Sequence, residues 1–282
     1  MAELLKGAAV VAALNEKMTA EIAALKEKGI SPTLAILRVG ERDDDISYEK
    51  GAMKRCDTVG VAVKNVVLPA DVAQEVLMQN VEALNNDKSI HGVLIFRPLP
   101  KHLDEEAVRR ALKPEKDVDG ITDGSLAGVF TGSGEGYAPC TAQACMEILD
   151  FYKVDCKGKR AVVVGRSLVV GKPAAVMLLG KHATVTVCHT RTVDMPSIVR
   201  NAEIVIVAAG KANAVTKEYL SPGQVVVDVG INMTEEGKLC GDVKFDDAEP
   251  IVSAITPVPG GVGTVTTSVL VSHVVEAAKK AQ

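Results

Sequence analysis

Aromatic side chains are scarce: the 282 residues include four Phe, four Tyr and no Trp. The cores must therefore be built from Val, Ile, Leu and Ala, a composition suited to buried parallel strands, which read as unbroken aliphatic runs. No Lys/Arg block stands out and the formal net charge is −4, so a nucleic-acid surface is not expected. The six cysteines, at 56, 140, 145, 156, 188 and 240, include no Cys-x-x-Cys pair. A chain of this size needs no disulfide framework, and the expectation is reduced thiols in the cytoplasm. The five histidines lack His-x-x-x-His spacing, so no zinc site is expected and no metal is assigned. No apolar run is long enough to span a bilayer, so no membrane partner is expected. Residues 7–14 are apolar, but Glu3 offsets Lys6 and no small-residue cleavage site follows. Val10, Val11, Leu14, Met18, Ile22 and Leu25 instead trace one face of a helix that Gly29 ends.

What is present is an alternation of strand and helix. Residues 33–39, 61–68 and 92–96 read as strands, and 45–59 and 72–84 as helices. Asp104 caps a short helix that stops before Pro114. This βαβαβ order predicts a parallel sheet. Residues 117–139 are Gly-rich and weakly periodic, and are expected to form long loops crossing toward a second domain. Thr141 is expected to cap a helix running to about Tyr152. The alternation then resumes, with strands at 161–164, 184–188, 204–208 and 225–229 and helices at about 172–179 and 195–200. Residues 256–263 are a Pro/Gly-rich loop. After it, 266–280 reads as a helix with Val269, Leu270, His273, Val274 and Ala277 on one side.

The segment from Arg160 to Pro173 carries the first chemical signal. A buried aliphatic strand meets Gly165, and Gly171 opens a helix six residues later. Pro173 sits in the first helical turn, where its missing N–H costs nothing. A helix start of this kind offers free N–H groups and a positive dipole end to a pyrophosphate. The spacing is Gly-x-Ser-x-x-x-Gly rather than Gly-x-Gly-x-x-Gly, so the bare motif is weak. Its surroundings strengthen it. The next strand ends at Cys188-His189-Thr190-Arg191, roughly 20 residues on, where NAD sites usually carry an acid for the ribose hydroxyls. No acid stands there, but Arg191 does, with Arg166 in the first turn. That favours a 2′-phosphate and hence NADP, with NAD possible; two solvated arginines on loops give the same spacing. Two further strands end in small residues, at Ala209-Gly210 and at Gly230, which lets a cofactor approach the backbone. The candidate cofactor residues are Gly165, Arg166, Ser167, Gly171, Lys172, Pro173, Thr190, Arg191, Ala209, Gly210, Gly230 and Ile231. The chain length allows two domains. The expected α/β architecture is a parallel-sheet domain over 1–139, a Rossmann-type domain over 140–256, and a segment 257–282 whose helix returns to the first domain.

Several segments together resemble the methylenetetrahydrofolate dehydrogenase/cyclohydrolase family. They are Val39-Gly40-Glu41 with Tyr48 on the following helix, Arg97-Pro98-Leu99-Pro100, Lys116-Asp117-Val118-Asp119-Gly120, Pro139-Cys140-Thr141, the Gly165–Pro173 turn, and Pro257-Val258-Pro259-Gly260-Gly261-Val262-Gly263. They occur in the family's order and span nearly the whole chain. The resemblance implies NADP on the second domain, tetrahydrofolate in a cleft between two domains, and a homodimer. It implies that Asp119 holds the pterin and that Tyr48 lines the folate site as a second catalytic candidate. It also implies that Pro259, Gly260, Gly261 and Val262 close over the substrate. A carboxylate suits the pterin edge, whose N–H donors it can accept in a bidentate way. From spacing alone, Asp119 reads equally as a loop carboxylate capping a backbone turn.

The chain departs from the family at two linked positions. Members that run both reactions carry Lys four residues after the Tyr, on the same helix face; here that residue is Ala52. Lys50 and Lys54 flank it on other faces. The family usually has Gln before Pro-Leu-Pro as the partner of that Lys; here it is Phe96. Thr264 and Val265 also stand where Pro and Met are common. Hydride transfer from a carbon held between two nitrogens needs positioning above all. Hydrolysis of the resulting cation moves protons and gains from an acid/base group. The expectation is a dehydrogenase whose cyclohydrolase activity is weak or absent, unless Lys50 or Lys54 reaches in. Two other readings compete: an NADP dehydrogenase of a cyclic hydroxy acid, which would need a Lys/Asp pair, and a non-catalytic folate or nucleotide sensor.

Overall fold

The structure is a computed structural model that describes residues 1–234 and 236–281. It divides into two compact units, Ala13–Cys140 with the segment from Thr267 onward, and Met1–Ala12 with Thr141–Thr266. In chain order, strand β1 (Glu3–Leu4) and helix α1 (Gly7–Glu27) come first. There follow β2 (Thr33–Val39), α2 (Asp43–Val59), β3 (Ala62–Leu68), α3 (Gln74–Asn86), β4 (Gly92–Ile95) and α4 (Glu105–Ala111).

The Ala13–Cys140 unit is built on a parallel three-stranded sheet in the order β3-β2-β4. β2 is central, and Leu34, Ala35, Ile36, Leu37 and Val39 are all buried. Leu77 and Val81 of α3 pack with Leu37, Val93 and Ile95 in one aliphatic core. Asp104 caps α4 as its position predicts, accepting the Ala107 N–H at 2.9 Å. On α1, Met18, Ile22 and Leu25 are buried, and Gly29 beyond its end takes a positive φ of 77°.

Residues 117–139 are not loop throughout. They contain a helix, α5 (Asp123–Thr131), entered through Thr122, whose hydroxyl accepts the Ser125 N–H at 3.1 Å. Its two glycines lower helix propensity and obscure the period. Packing explains both: a Cβ on Gly128 would collide with the Glu135 carbonyl, and one on Gly124 with the Pro114 ring. The next helix, α6 (Cys140–Phe151), starts at Cys140, so Thr141 lies inside its first turn and is not its cap.

The other unit continues with β5 (Arg160–Val164), α7 (Gly171–Gly180), β6 (Thr184–Cys188), α8 (Met195–Arg200), β7 (Ile204–Val207), β8 (Val225–Asp228), β9 (Asn232–Met233), β10 (Leu239–Cys240), α9 (Phe245–Ala248) and β11 (Ala254–Ile255); the last helix, α10 (Val262–Lys280), starts in it and from Thr267 onward belongs to the Ala13–Cys140 unit. Its main sheet is parallel in the order β1-β11-β8-β7-β5-β6. Val162, Val164, Val205, Val207 and Val226 form its core with Val199 and Leu220. The first twelve residues belong to this unit because Glu3 pairs with Ala254 and Leu4 with Ile255. Strands of two residues carry no readable period, which is why β1, β9, β10 and β11 were not foreseen. α10 begins four residues earlier than expected. It is buried on more than one side, with Val271, Val275 and Ala278 as inaccessible as Val269 and Leu270.

Candidate active site

Strand order reverses at β5, which leads to β6 on one side and has β7 on the other. In open parallel sheets, ligands bind at the carboxyl ends of the strands at such a point. Gly165 follows β5 there with φ of 135°. A Cβ on Gly165 would strike the Ala208 carbonyl beyond β7. A Cβ on Gly171 would strike the Gly165 carbonyl and come within 2.7 Å of the Arg166 nitrogen. Three backbone segments therefore meet with only hydrogen atoms between them, leaving a cradle open at the start of α7. This is the shape a pyrophosphate needs, and it fits a dinucleotide. The free donors are fewer than the motif predicts. Ser167 engages the Val170 N–H through its hydroxyl at 3.1 Å and the Lys172 N–H through its carbonyl at 3.0 Å.

Arg166, Ser167, Lys172, Thr190 and Arg191 are exposed around this cradle. The Arg191 backbone N–H donates to His189 Nδ1 at 3.1 Å, which fixes the turn after β6, while its guanidinium has no protein partner among the described residues. Ala209 and Gly210 extend β7, and Gly230 and Ile231 extend β8. Gly230 and Ile231 line a cavity of about 170 Å³ together with Pro259, Gly260, Gly261 and Val262. The Pro-Gly-Gly-Val segment thus meets two candidate cofactor residues within one unit.

Two carboxylates that the sequence did not single out hold these loops. Asp228 at the end of β8 accepts N–H groups from Gly230 at 2.9 Å, Asp242 at 3.0 Å and Val243 at 2.9 Å. Burial nevertheless pushes its carboxyl up to about 6. Asp242 accepts the Gly210 N–H at 2.8 Å, the Lys211 N–H at 3.0 Å and the Asn232 side-chain amide at 2.9 Å. The signal for Asp228 was present: an acid closing a buried Val-Val-Val strand requires hydrogen-bond partners.

In the Ala13–Cys140 unit, the two acids of Lys-Asp-Val-Asp-Gly divide their work. Asp117 is wholly buried and accepts from the Ile121 N–H at 3.0 Å, the Thr122 N–H at 2.7 Å and the Ser125 hydroxyl at 2.7 Å. Asp117 is thus the turn-capping carboxylate. Asp119 has no backbone donor among the described residues and faces the Cys140 thiol. Burial and the neighbouring Asp117 charge push Asp119 up to about 6, against the opposing pull of Arg97 and the Cys140 thiol.

Tyr48 stands on α2, and its phenol is pushed up by burial first, then by the charge of Asp119 and by Cys140, with the Thr267 hydroxyl opposing. Tyr48 as a residue remains 37% exposed, so it offers a surface as well as a hydroxyl. Its neighbour is Phe96, whose ring centroid lies 5.8 Å away in an edge-on contact. Ala52, one turn further along α2, is fully buried, whereas Lys50 and Lys54 are exposed, with no side-chain partner among the described residues. Tyr48, Phe96, Asp119, Cys140 and Thr267 therefore form one cluster that neither lysine joins. Cys140 entered the sequence reading only within Pro139-Cys140-Thr141, with no role given, and Thr267 not at all, because neither stands in a recognisable catalytic spacing.

Residues 5–119 match the family model for the tetrahydrofolate dehydrogenase/cyclohydrolase catalytic domain, and residues 139–282 match its NAD(P)-binding domain. The bifunctional protein FolD of Carboxydothermus hydrogenoformans is 51% identical over 279 residues, covering 98% of this chain and 97% of that protein. The crystal structure of the bifunctional FolD methylenetetrahydrofolate dehydrogenase/cyclohydrolase from Campylobacter jejuni superposes with a TM-score of 0.96 at 38% identity, covering 99% of each chain. The Trypanosoma brucei methylenetetrahydrofolate dehydrogenase-cyclohydrolase, solved with NADP cofactor and inhibitor, gives 0.91 at 37% identity, covering 99% of this chain and 98% of that one. With both domain models matched in order along nearly its full length, the chain belongs to the tetrahydrofolate dehydrogenase/cyclohydrolase family.

Proposed function

We propose that the protein oxidises 5,10-methylenetetrahydrofolate to 5,10-methenyltetrahydrofolate with NADP, and that Asp119 and Tyr48 hold the folate for that step. The observation that carries this reading is the division between the two acids: Asp117 takes the backbone donors, and Asp119 is left without one. An ionised Asp119 can accept two pterin N–H donors in a bidentate pair. The exposed ring of Tyr48 supplies a flat apolar surface for the folate. The bound NADP supplies the hydride acceptor. Gly165 and Gly171 would leave room for the pyrophosphate, Arg191 would hold the 2′-phosphate, and the Pro259–Val262 segment would cover the substrate. The product cation is stabilised by its own two nitrogens, so no residue need remove a substrate proton, and positioning is the main task of the protein.

Cyclohydrolase activity is proposed to be weak, because Ala52 and Phe96 place no acid or base beside Tyr48. The six free cysteines support a reducing compartment, and the cytoplasm is proposed as the location. A homodimer is proposed from the family resemblance.

The test is absorbance. Methylenetetrahydrofolate with NADP should yield reduced cofactor, after which the methenyl product should decay at close to the uncatalysed rate. Binding of both ligands without turnover would overturn the enzyme reading, and rapid decay of the methenyl product would overturn the second part.

A further inference from the structure

The Ala13–Cys140 unit carries a second concavity that does not share residues with the Tyr48–Asp119 cluster. It measures about 690 Å³, within the range of roughly 300–1,000 Å³ typical of small-molecule sites. β4 separates the two places: Ile90 and His91 before the strand line the cavity, whereas Phe96 follows its end. We propose that this cavity binds a small phosphate monoester.

Charge is the first argument. Lys88, Lys113, Lys116 and Lys280 line the cavity against Glu115 and Glu135. Two of these lysines are committed. Lys116 donates to the Asp87 carbonyl at 2.8 Å and to the Ile90 carbonyl. Lys280 lies 2.8 Å from Glu276 and 4.8 Å above the Tyr137 ring. The other two are available. Lys88 has no partner among the described residues, and Lys113 reaches only the Asn86 side-chain oxygen at 3.4 Å. The wall keeps a net positive charge, four ammonium groups against two carboxylates, which suits an anionic phosphate, and Lys is a common phosphate ligand acting as a point charge.

A directed donor is the second argument. His91 Nδ1 accepts the Thr33 N–H at 3.2 Å, which places the ring proton on Nε2 and makes that atom a donor. Burial and the nearby Lys116 charge push His91 down, so at neutral pH it brings a hydrogen bond without a charge. The Tyr137 hydroxyl, also in the cavity wall, has no hydrogen-bond partner among the described residues. The third argument is the apolar share of the wall, from Ile90, Pro114 and Ala277, which gives the organic part of an ester a surface to cover.

Isothermal titration calorimetry on the full chain, saturated with NADP to block the dinucleotide cradle, tests the proposal with ribose 5-phosphate, inorganic phosphate and ribose as probes. The expected result is binding of ribose 5-phosphate, at least tenfold weaker binding of inorganic phosphate, and none of ribose. Lys88→Gln and Lys113→Gln should each weaken the ester at least fivefold, and Lys113→Glu at least tenfold, with dehydrogenase turnover unchanged. Absence of heat from ribose 5-phosphate at millimolar concentration would overturn the proposal, as would affinity for the ester in all three variants equal to that of the unaltered protein. Inorganic phosphate binding as tightly as the ester would remove the ester assignment.

Discussion

Phe96 meets Tyr48 edge-on, with ring centroids 5.8 Å apart and planes at 82°. This contact is attractive in itself and holds both rings in place. It also fills, with an apolar edge, the side of Tyr48 where the family resemblance implies a glutamine, while the fully buried Ala52 leaves no ammonium group on the same helix face. Installing the pair by Ala52→Lys with Phe96→Gln should raise methenyltetrahydrofolate hydrolysis by about 10²-fold, the lower end of general acid–base help. Ala52→Lys alone should do less and lower the melting temperature, because it puts a charge at a buried position with an aromatic edge nearby and no partner. Hydrolysis that stays unchanged in the double variant, measured by loss of methenyl absorbance, would show that the missing proton carrier is elsewhere.

The proposed preference for NADP is assigned to Arg191, whose guanidinium has no partner among the described residues while its backbone is pinned by His189. Arg191→Ala should raise the KM for NADP by about tenfold or more, as loss of a charge-assisted phosphate contact implies, and leave the KM for NAD nearly unchanged. Parallel saturation curves with the two coenzymes decide it, and an equal rise in both would remove the 2′-phosphate role.

The cradle gives a steric prediction. Gly171→Ala sets a methyl group against the Gly165 carbonyl and within 2.7 Å of the Arg166 nitrogen, all of it backbone that cannot swing aside. Overpacking of this kind costs about 1–3 kcal/mol. The melting temperature should fall, and affinity for NADP should fall further, because the strands must part at the proposed pyrophosphate site. Calorimetric affinity equal to that of the unaltered protein would show that the turn does not contact the coenzyme.

How much of this could be read in the sequence depends on how many residues carry each feature. β2, β6 and α8 were placed to the residue because their aliphatic runs or flanking breakers are long and unbroken. α5 was missed because Gly124 and Gly128 break its period, although Thr122 and Ser125 have the spacing of a cap. β1 and β11 have two residues each, and Glu3 pairs with Ala254 and Leu4 with Ile255 from opposite ends of the chain, beyond any local signal. At the site, Gly165 and Gly171 were legible because close backbone approach admits no other residue. The roles of Asp117 and Asp119 were not separable from spacing, since the difference lies in which one turns inward to Ile121, Thr122 and Ser125.

Asp119 sets a pH dependence. Its carboxyl is raised from 3.8 to about 6 by burial and by Asp117, so the ionised form that accepts pterin donors develops only as pH passes about 6. kcat/KM for the folate should therefore rise with pH through that region, and Asp119→Asn should be nearly inactive with no such rise. Stability should run the opposite way. Because the folded value lies above the unfolded one, the neutral acid is the form folding favours; its contribution is complete below pH 3.8 and is lost as pH rises through about 6. Asp119→Asn should thus be more stable than the parent at pH 7.5, by up to about 3 kcal/mol for a shift of this size, with the gap closing toward pH 4. Asp228, also raised to about 6, contributes in the same window, so the measurement is the difference between the two denaturation curves at each pH.

Asp117 links the turn to that titration. Its carboxylate accepts two backbone N–H groups and one hydroxyl while its charge raises Asp119. Asp117→Asn removes the charge and replaces one acceptor oxygen with a donor, which leaves at least one buried donor without a partner at a cost of about 1–3 kcal/mol. The variant should melt at a lower temperature. In the folded fraction, the kcat/KM midpoint should move below 6, without reaching 3.8, because burial is the larger cause and is unchanged. The two readouts separate the roles. A lower melting temperature with an unmoved midpoint would mean that Asp117 shapes the turn without acting on Asp119 electrostatically. The predicted combination, lower stability with an acid-shifted midpoint, requires both.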